Sequence, residues 1–140
     1  MKRNERGASI VEFAIVVPLF VLLVFGIIEA GWFFSQQVEI RNATREGARI
    51  AVVDFGSANE TIAETCSRAD LSGSGATVTI ALSGSDTYGL GADSVSVTMS
   101  KNYQSLTGFI TFFNRPMTST AEMRTERPIV NLSNGTGVCP

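Results

Sequence analysis

Residues 7–31 read GASIVEFAIVVPLFVLLVFGIIEAG, an apolar run that carries the carboxylate of Glu12 near its start. The stretch 8–28 contains 21 residues. As a helix it spans about 31 Å at about 1.5 Å per residue, which matches the hydrocarbon core of a bilayer. Pro18 is tolerated in a membrane helix, with a kink, because neighbouring groups satisfy the carbonyl that it frees. The run therefore predicts one membrane-spanning helix.

Glu12 is the unusual residue of this helix. Placing an ionisable side chain in a membrane helix costs about 2.5 kcal/mol or more at the centre and less near the end. A carboxylate at this position therefore indicates a functional role by default. A basic leader with Lys2, Arg3 and Arg6 precedes it and ends at Gly7. One interpretation is a prepilin-type processing site, in which cleavage after Gly7 makes Ala8 the amino terminus and Glu12 its fifth residue.

The second interpretation is an ordinary signal anchor, with Glu12 as its polar edge. A cleaved secretory signal is disfavoured, because residues 13–28 carry no charge and exceed the apolar region of about 7–15 residues that such peptides contain.

The leader charges favour a cytoplasmic amino terminus. Arginines 41, 45 and 49 lie within about 20 residues of the other end and oppose this. Because the leader adjoins the span and emerges first, we expect the carboxyl-terminal part to lie outside.

The helix is predicted to continue beyond the bilayer to about Val53. Small and aliphatic residues recur on one of its faces at helical spacing, and arginines recur on another. The first group is Ile40, Ala43, Gly47, Ile50 and Ala51, and the second is Arg41, Arg45 and Arg49. The arginine stripe is either a contact for neighbouring subunits or lipid phosphates, or a solvated face with a weak Glu46–Arg49 pair. The small residues allow either a close helix or a covering sheet.

Two further features lie on or just after this helix. Trp32, Phe33 and Phe34 are aromatic residues at the expected interface depth, where such rings settle, and they can also pack on the following domain. After residue 53, Gly56 is available for a left-handed position that ends the helix.

The remainder predicts a small extracytoplasmic α+β head. Asn59 is expected to cap a short helix that runs to about Arg68. Residues 77–82, 94–99 and 117–124 alternate and are rich in β-branched residues, so we expect three antiparallel strands packed on the outer half of the long helix. In the last strand, Met117, Ser119, Ala121 and Met123 should face inward.

Two segments of the head lie outside these strands. The connector, residues 103–113, is apolar and either covers the core, touches the membrane surface or binds a partner, core cover being the default. The tail after Pro128 is rich in Asn, Ser and Gly and is expected to be loosely ordered.

Cys66 and Cys139 predict a disulfide, because an even cysteine pair in an oxidising compartment usually pairs. Catalysis is not expected: the chain has no histidine and no recognisable nucleophile or phosphate-binding motif. Asp86 and Asp93 could bind calcium, but their spacing is not that of an EF-hand and favours a polar loop. The 11 Lys plus Arg against 13 Asp plus Glu form no basic patch for nucleic acid. We therefore predict no metal, cofactor, nucleic acid or small-molecule substrate.

The amino-terminal third resembles the TadE-like family. The resemblance rests on Gly7-Ala8, Val11-Glu12-Phe13-Ala14, Pro18, the Gly26-x-x-Glu29-x-Gly31 exit, and Ala43-x-Arg45-Glu46-Gly47-Ala48-Arg49. It covers about the first 53 residues closely, and residues 95–123 fit in pattern only. TadF- and TadG-like relatives share the amino-terminal pattern, and the 140-residue length suits TadE better than the longer TadG type.

The resemblance implies a type IV pilin-like fold and a minor pilin or pseudopilin of the tight-adherence (Tad/Flp) pilus. It implies residues 1–7 as the leader, 8–31 as the transmembrane helix and 32–140 as the head. It also implies a bacterial inner-membrane location, cleavage by a prepilin peptidase, and other pilins and Tad assembly proteins as partners besides lipid. Glu12 would set the register of a neighbouring subunit. The alternative is a membrane-tethered binding or adhesion domain that never polymerises.

Overall fold

The structure is a computed structural model that describes residues 5–53, 56–69, 71, 73–84, 91–108 and 115–139. One long helix, α1 (Glu5–Val52), is followed by a short helix, α2 (Ala58–Arg68), and four strands. The strands are β1 (Thr77–Ser83), β2 (Ala92–Asn102), β3 (Pro116–Ile129) and β4 (Gly135–Val138). They form one antiparallel sheet in the order β3-β2-β1-β4. This confirms the predicted α+β class with a long amino-terminal helix and a small antiparallel head.

Helix α1 has two different surroundings along its 48 residues. Its first half is apolar and exposed, and it contains a window that is long and apolar enough to cross a membrane. Its second half packs one face against the head, where Ile40, Ala48 and Ala51 are fully buried. The helix begins at Glu5, so the predicted leader boundary at Gly7 lies inside its first turns.

The inward face of the sheet covers α1. Val78 pairs with Met99, and Ile80 pairs with Val97, and all four side chains are at most 1% exposed. On β3, Met117 is buried and Ser119, Ala121 and Met123 are half-buried, while the alternate residues are exposed. The predicted three-strand meander and the inward face of its last strand are therefore both present.

The N-cap of helix α2 lies two residues before the predicted one. Ser57, not Asn59, is the N-cap, and it forms a capping box with Glu60. The Glu60 backbone N–H donates to the Ser57 hydroxyl (3.4 Å), and the Ser57 backbone N–H donates to the Glu60 carboxylate (2.9 Å). The reciprocal pair satisfies two end groups at once, which a single asparagine cap does not. Gly56, at φ +70°, leads into this cap and is separated from the end of α1 by residues outside the described ranges.

Gly47 is the point where both helices and the sheet come closest. A Cβ on this residue would lie 2.8 Å from Thr65 Cγ2 on α2 and 3.3 Å from Val97 Cγ1 on β2. The small face of α1 therefore admits both a second helix and the covering sheet. Neither distance leaves room for a larger side chain without movement.

The tail is ordered as β4, contrary to the expectation that it would be loose. β4 pairs with β1 from Thr77↔Val138 to Ile80↔Gly135. A Cβ on Gly135 would lie 2.7 Å from Ala58 Cβ, and one on Gly137 would lie 3.2 Å from Ile62 Cγ2. The glycines that suggested disorder instead allow the strand to approach α2 closely, which is a recognised use of glycine in strands.

Cys66 of α2 and Cys139 after β4 form a disulfide in the structure, with Cα atoms 5.4 Å apart. Both residues are buried. The backbone N–H of Cys139 also donates to the Ala76 carbonyl, at 2.8 Å. The bond thus joins the last strand to α2 across a separation of 73 residues.

We predict that this disulfide forms in the exported protein and stabilises the head. Loop closure over such a separation is worth about 4 kcal/mol. The Cys66→Ser/Cys139→Ser double variant should therefore unfold at a lower urea concentration, with β4 released first. Intact-mass analysis without reductant should find the native chain two hydrogens lighter than its reduced form. Ready alkylation of both thiols in the folded, exported protein would contradict the pairing.

Candidate functional site

The proposed processing and register residues lie in the first turns of α1. Gly7, Ala8 and Glu12 are all exposed. Around Gly7 the described residues place no atom within 4 Å of a Cβ position. The described part of the chain supplies no ion-pair partner to the Glu12 carboxylate. Any charge that meets Glu12 therefore comes from residues outside the described ranges or from another molecule.

The three arginines of the stripe do not behave alike. Arg49 forms two hydrogen bonds with the Glu46 carboxylate, at 2.9 and 2.7 Å. Arg68 of α2 lies 3.6 Å from the same carboxylate. The Arg49 hydrogen bond holds the pKa of Glu46 below its usual value, and Glu46 in turn raises the pKa of Arg49.

Arg41 and Arg45 are exposed. In the ranges that the structure describes, neither side chain takes part in an ion pair. Only these two arginines of the stripe therefore present an unpaired charge on the described molecule.

The other polar candidates give no ligand site. The Arg124 guanidinium donates a hydrogen bond to the Asp93 carboxylate, at 3.2 Å. Asp86 lies outside the described residues. Among the residues that are described, no group of three or more His, Cys, Asp or Glu side chains is placed to hold a metal ion.

The most elaborate polar site surrounds Glu29, which the sequence analysis noted only as part of the family pattern. Its side chain is buried in α1 at the end of the apolar run. The carboxylate accepts hydrogen bonds from the Tyr103 hydroxyl, the Leu106 backbone N–H (3.2 Å), and both the backbone N–H (3.2 Å) and hydroxyl (2.9 Å) of Thr107. Such a set of donors replaces the water that a carboxylate loses on burial.

The Tyr103 hydroxyl is the deepest of these donors. Its ring is 3% exposed and packs edge-on against Phe33, with centroids 5.4 Å apart. Burial raises the pKa of Tyr103 to about 12, and the hydrogen bond to Glu29 acts in the same direction. The hydroxyl is therefore a neutral donor at any physiological pH.

A second contact holds the same segment one turn higher on α1. The indole N–H of Trp32 and the side-chain amide of Gln36 both donate to the Gln104 carbonyl, each at 3.0 Å. Trp32 remains 40% exposed and Phe34 65% exposed, whereas Phe33 packs on the core. Packing on the head is therefore seen for Phe33, while Trp32 and Phe34 stay exposed. The connector covers the core through Tyr103, and its residues 109–113 lie outside the described ranges.

The helical spacing contains a signal that could have found this site. Glu29, Phe33 and Gln36 continue the buried stripe of Ile40, Ala43 and Gly47 backward in alternating steps of four and three residues. This is the spacing of one helix face. Glu29 and Gln36 are polar, so the apolar periodicity of this face begins only at Ile40 and does not reveal the site.

Taken together, these contacts define an α+β protein whose long amino-terminal helix is apolar enough to cross a membrane. Its head is fastened to the helix where the apolar run ends. Residues 7–49 match the family model described as TadE-like protein, which confirms the resemblance to that family. No curated protein and no solved structure matches the chain. The match indicates a Tad pilus-associated protein with an amino-terminal apolar helix.

We predict that Glu29 and its donors stabilise the attachment of the head. Tyr103→Phe removes one of the hydrogen bonds donated to Glu29, so the free energy of unfolding should fall by about 1–2 kcal/mol. Glu29→Gln should cost more, because its amide group presents N–H toward the donors from Thr107 or Leu106. Urea titration in detergent checks this, with the fluorescence of Trp32 as the reporter.

Glu122→Gln, on the exposed face of β3, is the matched control for loss of a carboxylate and should leave the midpoint unchanged. A Glu29→Gln variant as stable as the native protein would show that the carboxylate is not needed for the attachment.

Proposed function

We propose that this protein is a minor pilin or pseudopilin that takes part in assembly of a Tad/Flp-type pilus. The observation that carries the proposal is the family match over residues 7–49. That range includes the leader boundary, Glu12 and most of α1. The exposed apolar half of this helix supports storage in a bilayer before assembly. In this proposal the amino terminus is cytoplasmic, the head lies outside, and the chain sits in the inner membrane.

The proposed processing step is cleavage after Gly7 by a prepilin peptidase. Cleavage creates an amine at Ala8, four residues before Glu12. A carboxylate in lipid needs an opposite charge to offset its desolvation. The Ala8 amine of a neighbouring subunit supplies that charge, and pairing it with Glu12 offsets two parallel helices by about 6 Å. One electrostatic contact would then set the axial register of a subunit.

The outer face of α1 supports a second contact with other subunits. Phe34 and Val38 are exposed just beyond the apolar run, and Arg41 and Arg45 follow them on the same side. This places apolar and positively charged groups in one stripe, suited to a neighbour with an apolar and acidic helix face. Arg49 contributes less, because Glu46 already neutralises it.

A membrane-tethered binding or adhesion domain that never polymerises is the second candidate. It is favoured by one observation, namely that most of the head lies outside the family match. Processing separates the two functions, because a tethered domain has no use for cleavage at Gly7.

We predict that the mature chain begins at Ala8. Co-expression with the prepilin peptidase, followed by intact-mass analysis, should show loss of residues 1–7. Gly7→Leu should remain uncleaved, because a peptidase site that selects glycine has no room for a branched side chain. Gly26→Leu is the matched control, since Gly26 also has no described atom within 4 Å of its Cβ position. It should be cleaved like the native chain, and retention of the leader by the native protein would overturn the pilin proposal.

We predict that Glu12→Gln abolishes assembly while membrane insertion persists. The amide keeps the shape of the side chain but removes the charge that pairs with the amine. Glu12→Asp keeps the charge and should retain part of the function. The measurements are surface pili counted in a complemented strain and co-purification with the pilus machinery. Normal pili in the Glu12→Gln strain would mean that Glu12 is only the polar edge of an anchor.

A further inference from the structure

Residues 105–108 form a turn of the head that lies beside α1, at the end of its apolar half. The hydrogen bonds from Leu106 and Thr107 to Glu29 hold this turn at the height of Glu29. Glu29 immediately follows the uncharged residues 13–28. Because helical side chains lean toward the amino terminus, its carboxylate lies below its own Cα, closer to the membrane. The chain descends to this level from Gln104, which is bound one turn higher by Trp32 and Gln36.

The length of the apolar run sets where the bilayer boundary falls. If the hydrocarbon core starts at Ala8 and includes Glu12, about 31 Å of helix ends at Ile28. If it starts at Phe13 and leaves Glu12 outside, the same length ends at Phe33. Glu29 is therefore within one turn of the boundary in the first case and inside the outer leaflet in the second. Leu106, at the same height, is at or below the boundary in both.

Three N–H groups of the turn have partners within the protein. In the hydrocarbon region an unsatisfied backbone polar group is costly, so an N–H near the boundary needs a partner of its own. Three successive N–H groups meet this condition: Leu106 and Thr107 donate to Glu29, and Gly108 donates to the Ser105 hydroxyl at 3.0 Å. The Gln104 carbonyl accepts two hydrogen bonds from α1. The Thr107 hydroxyl is also bound by Glu29.

The side chains of the turn are also compatible with an apolar medium. Leu106 is 56% exposed although its backbone is fixed against α1. Residues 103–108 read YQSLTG and carry no charge. An uncharged turn with one free leucine has nothing to attract anionic headgroups, so its affinity would come from burial of apolar area. The exposed ring of Trp32 lies on the same side and is typical of the bilayer interface.

We propose that the 105–108 turn dips into the outer leaflet of the membrane, with Leu106 as its lipid-embedded side chain. The partner is the acyl-chain region just below the headgroups, whatever their charge. The inference rests on the proposed membrane anchoring with the head outside, and it is independent of pilus assembly. It makes the head touch the bilayer at two points, the helix and this turn, which fixes its tilt before assembly.

Tryptophan quenching in nanodiscs tests the depth of the turn. The chain contains one tryptophan, so Trp32→Phe gives a silent background in which Gln36 still holds Gln104. Leu106→Trp is then compared in phosphatidylcholine brominated near the headgroup end or near the middle of the acyl chains. We expect strong quenching by the first lipid and less by the second, unchanged when anionic lipid is added.

Two variants calibrate the result. Phe20→Trp, in the middle of the apolar run, should be quenched most by the mid-chain bromines and reports insertion. Val138→Trp, 60% exposed on β4, should not be quenched. Leu106→Trp quenching no greater than that of Val138→Trp, with Phe20→Trp deeply quenched, would overturn the proposal and leave a protein partner for the turn. If Phe20→Trp is also unquenched, membrane anchoring itself is wrong.

A measurement on the unaltered chain covers the case in which Leu106→Trp disturbs the turn. Leucine and valine methyl groups can be labelled and observed by NMR in nanodiscs. The Leu106 methyls should broaden with a spin-labelled lipid and stay sharp with a water-soluble gadolinium chelate, and those of Val138 should show the reverse. Broadening of Leu106 by the chelate alone would refute the insertion.

Discussion

The structure depends on how a carboxylate is buried where the apolar run of α1 ends. Glu29 follows 16 uncharged residues and is 4% exposed, and a buried charge without partners is costly. The head supplies donors from Tyr103, Leu106 and Thr107, all on one short segment after β2. This segment can reach Glu29 only if the sheet lies on the outer half of the helix. Satisfying one charge therefore sets the position of the head relative to the apolar run.

The same helix face organises the core above this point. From Glu29 toward the carboxyl terminus, the residues of α1 that face the head change from polar and aromatic to aliphatic and small. The last three are Ile40, Ala43 and Gly47. The small residues allow α2 and the sheet to approach α1, and the disulfide holds the last strand against α2. Burial at this end and polar contacts at the membrane end make the head one unit with its helix. A rigid attachment of this kind suits a subunit whose position in an assembly is set by its helix.

The carboxylates at the two ends of the apolar run of α1 therefore have different surroundings. At the amino-terminal end, Glu12 is exposed and without an ion-pair partner among the described residues. This leaves it available to a second molecule. At the other end of the apolar run, Glu29 is fully occupied by its own head. The two carboxylates of the apolar run thus differ, because Glu29 is hydrogen-bonded by its own head and Glu12 has no ion-pair partner among the described residues.

Much of this architecture could be predicted from local patterns. The uncharged run implied a membrane helix, because its length and apolarity are properties of the segment alone. Alternation in 77–82, 94–99 and 117–124 implied strands, and Ile40, Ala43 and Gly47 implied the buried face of α1. The order of β1, β2 and β3 followed because short connections favour antiparallel neighbours.

Contacts between distant segments were decided only by the tertiary structure. Glu29 and Tyr103 are 74 residues apart, and no local pattern pairs one with the other. Gly135 and Gly137 suggested a loose tail by composition, but packing against Ala58 and Ile62 makes them a strand. The sequence by itself determined the long apolar helix and the strands β1 to β3, since these follow from periodicity and apolarity within a few residues. Which donors meet which acceptor depends on the packed arrangement, because a buried charge is stabilised by whatever the fold brings to it.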